Sequence, residues 1–176
     1  MRYLLGAFSA SDWAKVYKNI YDNTVPGGWI EQVEMDVGIF CDDGTLPSDS
    51  ILTTWGNVMS ACAERADRPF DTIYKMRGRM EEAGFVNVQQ QDYTAPVGTW
   101  PKMQIYKDAG RVNLKGIMAG LEGYVLFMLT KFGAPKPWSV EEVKKYVERA
   151  KVDLNNPKYH VYNKARRVWA MKPFDK

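Results

Sequence analysis

The chain has 176 residues, 45% of them apolar and 26% charged, the composition of an ordinary globular protein that can bury a core. Its net charge of +3 is too small to indicate a nucleic-acid partner, and no apolar run approaches the length of a membrane span. One histidine and two cysteines exclude a Cys/His metal cluster, so we expect no metal, reduced thiols and a cytoplasmic or nuclear protein.

The first half of the chain predicts a helix, a strand and two further helices. Apolar residues at helical spacing over residues 13–21, after a cap at Ser9 or Ser11, predict the first helix. Residues 29–37 alternate and predict a strand with its apolar side chains on one face and Glu34 on the other. A helix capped by Ser48 or Asp49 follows, and another runs from about residue 69 to residue 84.

The second half predicts a strand, a set of helices and a final strand. Residues 85–90 form the strand, and a loop over residues 94–101 holds Trp100. Residues 103–132 have a helical pattern that four glycines interrupt, so we predict two helices there. The capping box Ser139-x-x-Glu142 opens another helix, and residues 159–171 form the last strand. The alternation of elements predicts an α/β fold.

Several segments, taken in order, resemble one family. They are Met1-Arg2-Tyr3-Leu4-Leu5-Gly6, Asp12-Trp13, Pro26-Gly27-Gly28-Trp29-Ile30-Glu31-Gln32-Val33-Glu34, Gly84-Phe85-Val86-Asn87-Val88, Thr99-Trp100-Pro101, Gly120-Leu121-Glu122-Gly123-Tyr124 and Val168-Trp169-Ala170-Met171-Lys172-Pro173. The Pro-Gly-Gly turn is similar to the turn after the fourth helix of class I S-adenosylmethionine-dependent methyltransferases. The set as a whole resembles the fungal methyltransferase-like family of secondary metabolism.

This resemblance implies the C-terminal half of a doubly wound methyltransferase sheet, strands four to seven. It implies one truncated domain over residues 1–176, with an inserted helical substrate lid at residues 97–150. The family's cofactor loop is Gly-rich, and no G-x-G-x-G occurs in the chain. We therefore expect no cofactor, or S-adenosylmethionine only where a partner completes a site that includes Arg2, Tyr3 and Gly6.

The same resemblance predicts an association surface. The family's first strand pairs with the fourth, so its absence would leave an exposed sheet edge, and unpaired edges are templates for association. We therefore expect a homodimer, or a heterodimer with another chain, through that edge. We expect neither nucleic acid nor a membrane as a partner.

Two residues are candidates for acid–base chemistry. Glu34 lies near the carboxyl end of a predicted strand, where α/β sheets bind ligands, and the alternative is a solvated structural acid. His160 is the one residue that ordinarily titrates near neutral pH, and the alternative is a packed or surface histidine.

An aromatic and Met-rich set is the candidate wall of a pocket for an apolar natural product, with helix core as the alternative. Its members are Trp100, Tyr106, Met118, Tyr124, Phe127 and Trp138.

Three functions follow as hypotheses. The first is a small-molecule enzyme independent of S-adenosylmethionine, of the isomerase, cyclase or pericyclase type. The second is a non-catalytic pseudo-methyltransferase that pairs with another chain. The third is a methyltransferase fragment that is active across a dimer.

Overall fold

The structure is a computed structural model that describes residues 1–174. In chain order the elements are α1 (Ala10–Asn23), β1 (Trp29–Met35), α2 (Leu52–Arg65), α3 (Thr72–Glu82), β2 (Val86–Pro96), α4 (Gln104–Phe132), α5 (Val140–Leu154) and β3 (Tyr162–Met171). The fold is α/β, and the order of helices and strands is the one that the sequence predicts. The chain divides into two compact units, unit 1 being Met1–Asp36, Asp67–Tyr93 and Ala165–Lys176, and unit 2 being Val37–Ala66 and Thr94–Lys164.

Unit 1 is built on the strands. The three strands form one sheet in the order β1-β3-β2, with β1 and β3 antiparallel and Trp29 opposite Met171. Helices α1 and α3 bury their apolar faces against it. The resulting core consists of Trp13, Tyr17, Ile30, Ile73, Met76, Met80, Phe85, Val168 and Ala170. The N-terminal segment adds one isolated parallel bridge between Arg2 and Val33.

Unit 2 is mainly helical, with α2, α4 and α5 packed together. Trp55 of α2 stacks on Tyr146 of α5, with ring centroids 5.8 Å apart. The capping box at the start of α5 is confirmed, because the Ser139 side chain accepts from Glu142 N while the Glu142 side chain accepts from Ser139 N. The structure corrects the expectation that no apolar run approaches the length of a membrane span. Of the described residues, α4 is the one helix long and apolar enough to cross a membrane by length and composition alone.

The structure corrects two sequence-based predictions about elements. Residues 104–132 form one helix of 29 residues, whereas the glycines predict two. The buried face of β1 is also the opposite of the predicted one, since Ile30, Gln32 and Glu34 are buried while Val33 and Met35 are only partly covered.

The sites of helix initiation also differ from the prediction. Helix α2 begins at Leu52, after Ile51, and no side-chain cap from Ser48 or Asp49 forms. The Ser50 hydroxyl donates to Asp153 at 2.6 Å and accepts from Leu52 N at 3.2 Å. The Ser50 hydroxyl is thus the one that accepts a hydrogen bond from the first turn of α2.

Candidate functional site: a histidine–aspartate pair in unit 2

The loop that follows β1 runs beside the segment that leads into β3. Phe40 N donates to Tyr162 O, and Tyr162 N donates to Phe40 O, both at 2.9 Å. This antiparallel bridge sets the register of the two segments. It brings the carboxylates of Asp42 and Asp43 against His160 and Tyr162, which are more than 110 residues away along the chain.

Asp43 and His160 form the centre of the site. Nδ1 of His160 lies 2.6 Å from Oδ2 of Asp43. The other carboxylate oxygen accepts from Thr45 N at 3.1 Å, from Thr45 Oγ1 at 2.8 Å and from Cys41 Sγ at 3.3 Å. The hydrogen bond from His160, followed by those from Thr45, holds the pKa of Asp43 far below its usual range. Asp43 is therefore a carboxylate at every physiological pH.

The His160 ring is fixed on two further sides. Its backbone N–H donates to Thr45 Oγ1 at 2.9 Å. The ring stacks on Trp100 with centroids 5.1 Å apart and an interplanar angle of 24°, and the Trp100 indole N–H donates to Val161 O at 2.9 Å. The imidazole is therefore held in both position and orientation.

This arrangement defines which ring nitrogen can do chemistry. Because Nδ1 faces a carboxylate, its proton stays there and the lone pair of the neutral ring lies on Nε2. Nε2 has no hydrogen-bond partner among residues 1–174, and the His160 side chain is 37% exposed. A neutral imidazole held in this way is a general base, and after taking a proton it is a general acid.

A tyrosine–aspartate pair lies beside the histidine–aspartate pair. The Tyr162 hydroxyl donates to Asp42 Oδ2 at 2.7 Å, and this bond raises the pKa of Tyr162 to about 12. Lys164 places its ammonium 4.0 Å from the centroid of the Phe40 ring. Tyr162 thus stays protonated at neutral pH.

A surface cavity shares segments with the pair. It has a volume of about 370 Å³, and its lining includes Pro47, Asp49, Arg149 and Tyr159. Tyr159 immediately precedes His160, and Pro47 follows Thr45 by two residues. The cavity is therefore formed in part by the two segments that carry the histidine and the aspartate.

Glu34, the other predicted acid–base residue, belongs to unit 1 and is fully buried. Its carboxylate accepts from Gln32 Nε2 at 2.8 Å and from Leu4 N at 2.9 Å, and Gln32 in turn accepts from the Tyr17 hydroxyl. Burial raises the pKa of Glu34 above its ordinary value, against the effect of these hydrogen bonds. This geometry favours a structural role over the predicted catalytic one.

The predicted pocket residues are not brought into one cluster. Tyr106 and Phe127 are both exposed on α4 and are about 30 Å apart along its axis, at 1.5 Å per residue. Trp138 packs edge-to-face on Tyr146, and burial raises the pKa of Tyr124. Met118 receives a weak contact from Asn155. Of the set, Trp100 is the member that contacts the histidine.

The predicted cofactor residues belong to the N-terminal segment of unit 1. The Arg2 guanidinium pairs with Glu31 at 3.0 Å, and Tyr3 is exposed. Gly6 has φ of +70°, and a Cβ there would lie 2.8 Å from the Phe70 ring, so its small size serves packing against that ring. Arg2 and Gly6 thus each make a contact within the fold.

Sequence reasoning missed Asp42, Asp43, Thr45 and Tyr162. The Asp-Asp-Gly-Thr run indicates a turn, but nothing in the sequence shows which residue meets a loop carboxylate across more than 110 positions. Two acids beside a small hydroxyl residue are the one signal that the sequence offered.

Comparison with known proteins gives relatives of one kind. No protein-family description matches the chain. The secondary metabolism regulator LAE1 of Cochliobolus heterostrophus is 35% identical over 92% of this chain and 52% of its own. The probable methyltransferase tdiE of Emericella nidulans is 30% identical over 92% of this chain and 50% of its own.

A solved structure gives a weaker likeness. Phosphoethanolamine N-methyltransferase 2 of Haemonchus contortus, in complex with S-adenosyl-L-methionine, aligns with 98% of this chain and 32% of its own, at 15% identity and a TM-score of 0.43.

The chain is homologous to methyltransferase-like proteins of fungal secondary metabolism and corresponds to their C-terminal half, which confirms the predicted resemblance. It spans about half the length of the curated relatives that it matches.

Proposed function

We propose that the chain is a small-molecule enzyme of fungal natural-product metabolism that works without S-adenosylmethionine and catalyses an isomerisation or cyclisation by acid–base chemistry. The observation that carries this proposal is the His160–Asp43 pair stacked on Trp100. The relatives support the metabolic setting, since their names place them in secondary metabolism or call them methyltransferases.

The chemistry needs no co-reactant. Nε2 of His160 takes a proton from an acidic C–H or O–H of the substrate, and the electron pair of that bond moves into the substrate. The protonated imidazole is stabilised by Asp43, and it returns the proton at a second position of the substrate. One bond to hydrogen breaks and one forms, so the product has the mass of the substrate. Such a step contributes a factor of about 100 to 10,000 in rate.

Methyl transfer is the second candidate, because one relative of this chain is named a probable methyltransferase. In that function the cofactor would depend on residues beyond those that Arg2, Tyr3 and Gly6 provide. The histidine pair would then deprotonate the group that receives the methyl.

Product mass separates the two functions. The purified chain is incubated with a fungal metabolite extract, with and without S-adenosylmethionine, beside the variants His160→Gln and Tyr106→Phe. We expect a product of unchanged mass and new retention time from the native chain and from Tyr106→Phe, independent of the cofactor, and none from His160→Gln. A product heavier by one methylene that needs the cofactor would replace this proposal with methyl transfer.

A further inference from the structure

Helix α4 has two apolar faces. Leu121, Val125 and Leu129 are buried on the inner face, where α4 packs on α2 and α5. A second set of apolar and small residues, here called the outer stripe, is exposed to solvent along the helix. The outer stripe consists of Ile105, Ala109, Val112, Gly116, Ala119 and Gly123.

The outer stripe has the spacing of a helix-pairing seam. Its members follow one another at intervals of four and three residues, in strict alternation. Alternating intervals of four and three residues keep one face of a helix turned toward a neighbouring helix over several turns. Ile105 and Val112 are 69% and 72% exposed. A monomer thus leaves apolar side chains in water along most of α4.

The two glycines of the outer stripe have no packing explanation among residues 1–174. A Cβ at Gly116 or Gly123 would meet no atom within 4 Å, whereas a Cβ at Gly110 would lie 2.0 Å from Gly98 O. An exposed glycine weakens a helix relative to alanine. A face without side chains does, however, allow a second backbone to approach closely.

The charged side chains beside the outer stripe indicate which helix could pack against it. Lys115 and Glu122 lie on the same flank, one seven-residue repeat apart. When two copies of α4 cross in opposite directions with Gly116 opposite Ala119, Lys115 of each copy comes beside Glu122 of the other. Lys115 has no ion pair among the described residues, and Glu122 is 54% exposed with a long 3.4 Å contact to Lys151.

We propose that the outer stripe of α4 binds the same stripe of a second copy of this chain, with the helices antiparallel. A membrane is the less favoured occupant, because the charged side chains of Lys115 and Glu122 would have to enter the hydrocarbon region. This surface differs from the sheet edge that the sequence predicts for association, and that edge stays a prediction.

Sedimentation of the purified chain at micromolar concentration tests the proposal. We expect a dimer for the native chain and a monomer for Val112→Glu, which places a carboxylate in the stripe. Val152→Glu is the matched control, since Val152 is 69% exposed on α5 and lies outside the stripe. We expect it to remain a dimer. Circular dichroism of each variant confirms that the monomer is folded.

Charge reversal tests the antiparallel register. Lys115→Glu is expected to weaken the dimer about tenfold, equivalent to about 1.4 kcal/mol, and adding Glu122→Lys is expected to restore it. A native chain that is monomeric, a dimer unaffected by Val112→Glu, or a double variant as weak as the single would overturn the proposal. Flotation with phosphatidylcholine vesicles that Val112→Glu abolishes would overturn it in favour of a membrane.

Discussion

At the scale of single residues, the acid–base role that we propose for His160 depends on its contact with Asp43. A lone histidine in a sequence has no orientation, and here the carboxylate, the Thr45 hydroxyl and the Trp100 ring supply it. The pair is partly exposed, so we expect it to contribute little to the stability of the fold.

The His160–Asp43 contact predicts a measurable change in a pKa. In His160→Gln, we expect the pKa of Asp43 to rise toward its ordinary value, because the largest cause of its lowering is removed. Thr45 and Cys41 still donate to the carboxylate, so the rise should be incomplete. Carbon-detected NMR titration of the Asp43 carboxyl measures the change. Tyr162→Phe is the control, since it removes a donor from Asp42 alone.

The lowered pKa of Asp43 also determines how the stability of the fold depends on pH. A carboxyl whose pKa is lowered by folding stabilises the fold above its unfolded pKa, about 3.9 for aspartate. That contribution is lost as the pH falls from about 4 through the lowered value. We expect Asp43→Asn to remove this part of the acid sensitivity in urea unfolding curves. Identical acid sensitivity in the two proteins would contradict the contact.

Glu34 is expected to change the stability of the fold with pH in the opposite direction. Burial raises its pKa, so folding favours the protonated form and the fold loses stability as the pH rises from about 4 through the raised value. We expect Glu34→Gln to match or exceed the native free energy of unfolding at pH 7, because an acceptor for Leu4 N remains. Glu34→Leu should lose about 1–3 kcal/mol, since the donors Gln32 Nε2 and Leu4 N lose their acceptor. Chemical denaturation measures both, and a Glu34→Gln variant less stable than the native chain at pH 7 would contradict the raised pKa of Glu34.

At the scale of elements, the sequence predicted the order of helices and strands because apolar periodicity and capping residues act locally. It failed at β1 because Gln32 and Glu34 are buried against partners from α1 and the N-terminal segment, which no local pattern reveals. It failed at α4 because glycine lowers helix propensity by only about 1 kcal/mol, which packing on α2 and α5 outweighs.

One glycine of α4 has a packing reason and offers a test. Gly110 O accepts from Gly98 N at 3.0 Å, and a Cβ on Gly110 would collide with the Gly98 carbonyl. We expect Gly110→Ala to destabilise the chain by about 1–3 kcal/mol through overpacking. Gly78→Ala on α3, where a Cβ meets nothing within 4 Å, should be neutral or stabilising by up to about 1 kcal/mol. Equal effects in thermal unfolding would contradict this packing.

At the scale of the whole molecule, some residues of the candidate site could be predicted from the sequence and others could not. His160 and Trp100 are chemically distinctive, so composition and aromatic content singled them out. Asp43 and Thr45 are ordinary loop residues, and only the bridge between Phe40 and Tyr162 brings them to the histidine. The correspondence of this chain to the C-terminal half of its methyltransferase-like relatives could be predicted, because the matching motifs occur in order along the chain.

The acid–base reaction proposed at His160 requires no S-adenosylmethionine. Calorimetric titration of the purified chain with S-adenosylmethionine and with its demethylated product tests this most directly. We predict no detectable heat of binding for either compound. Saturable binding near micromolar, equivalent to about −8 kcal/mol, would contradict the account and make methyl transfer the leading function.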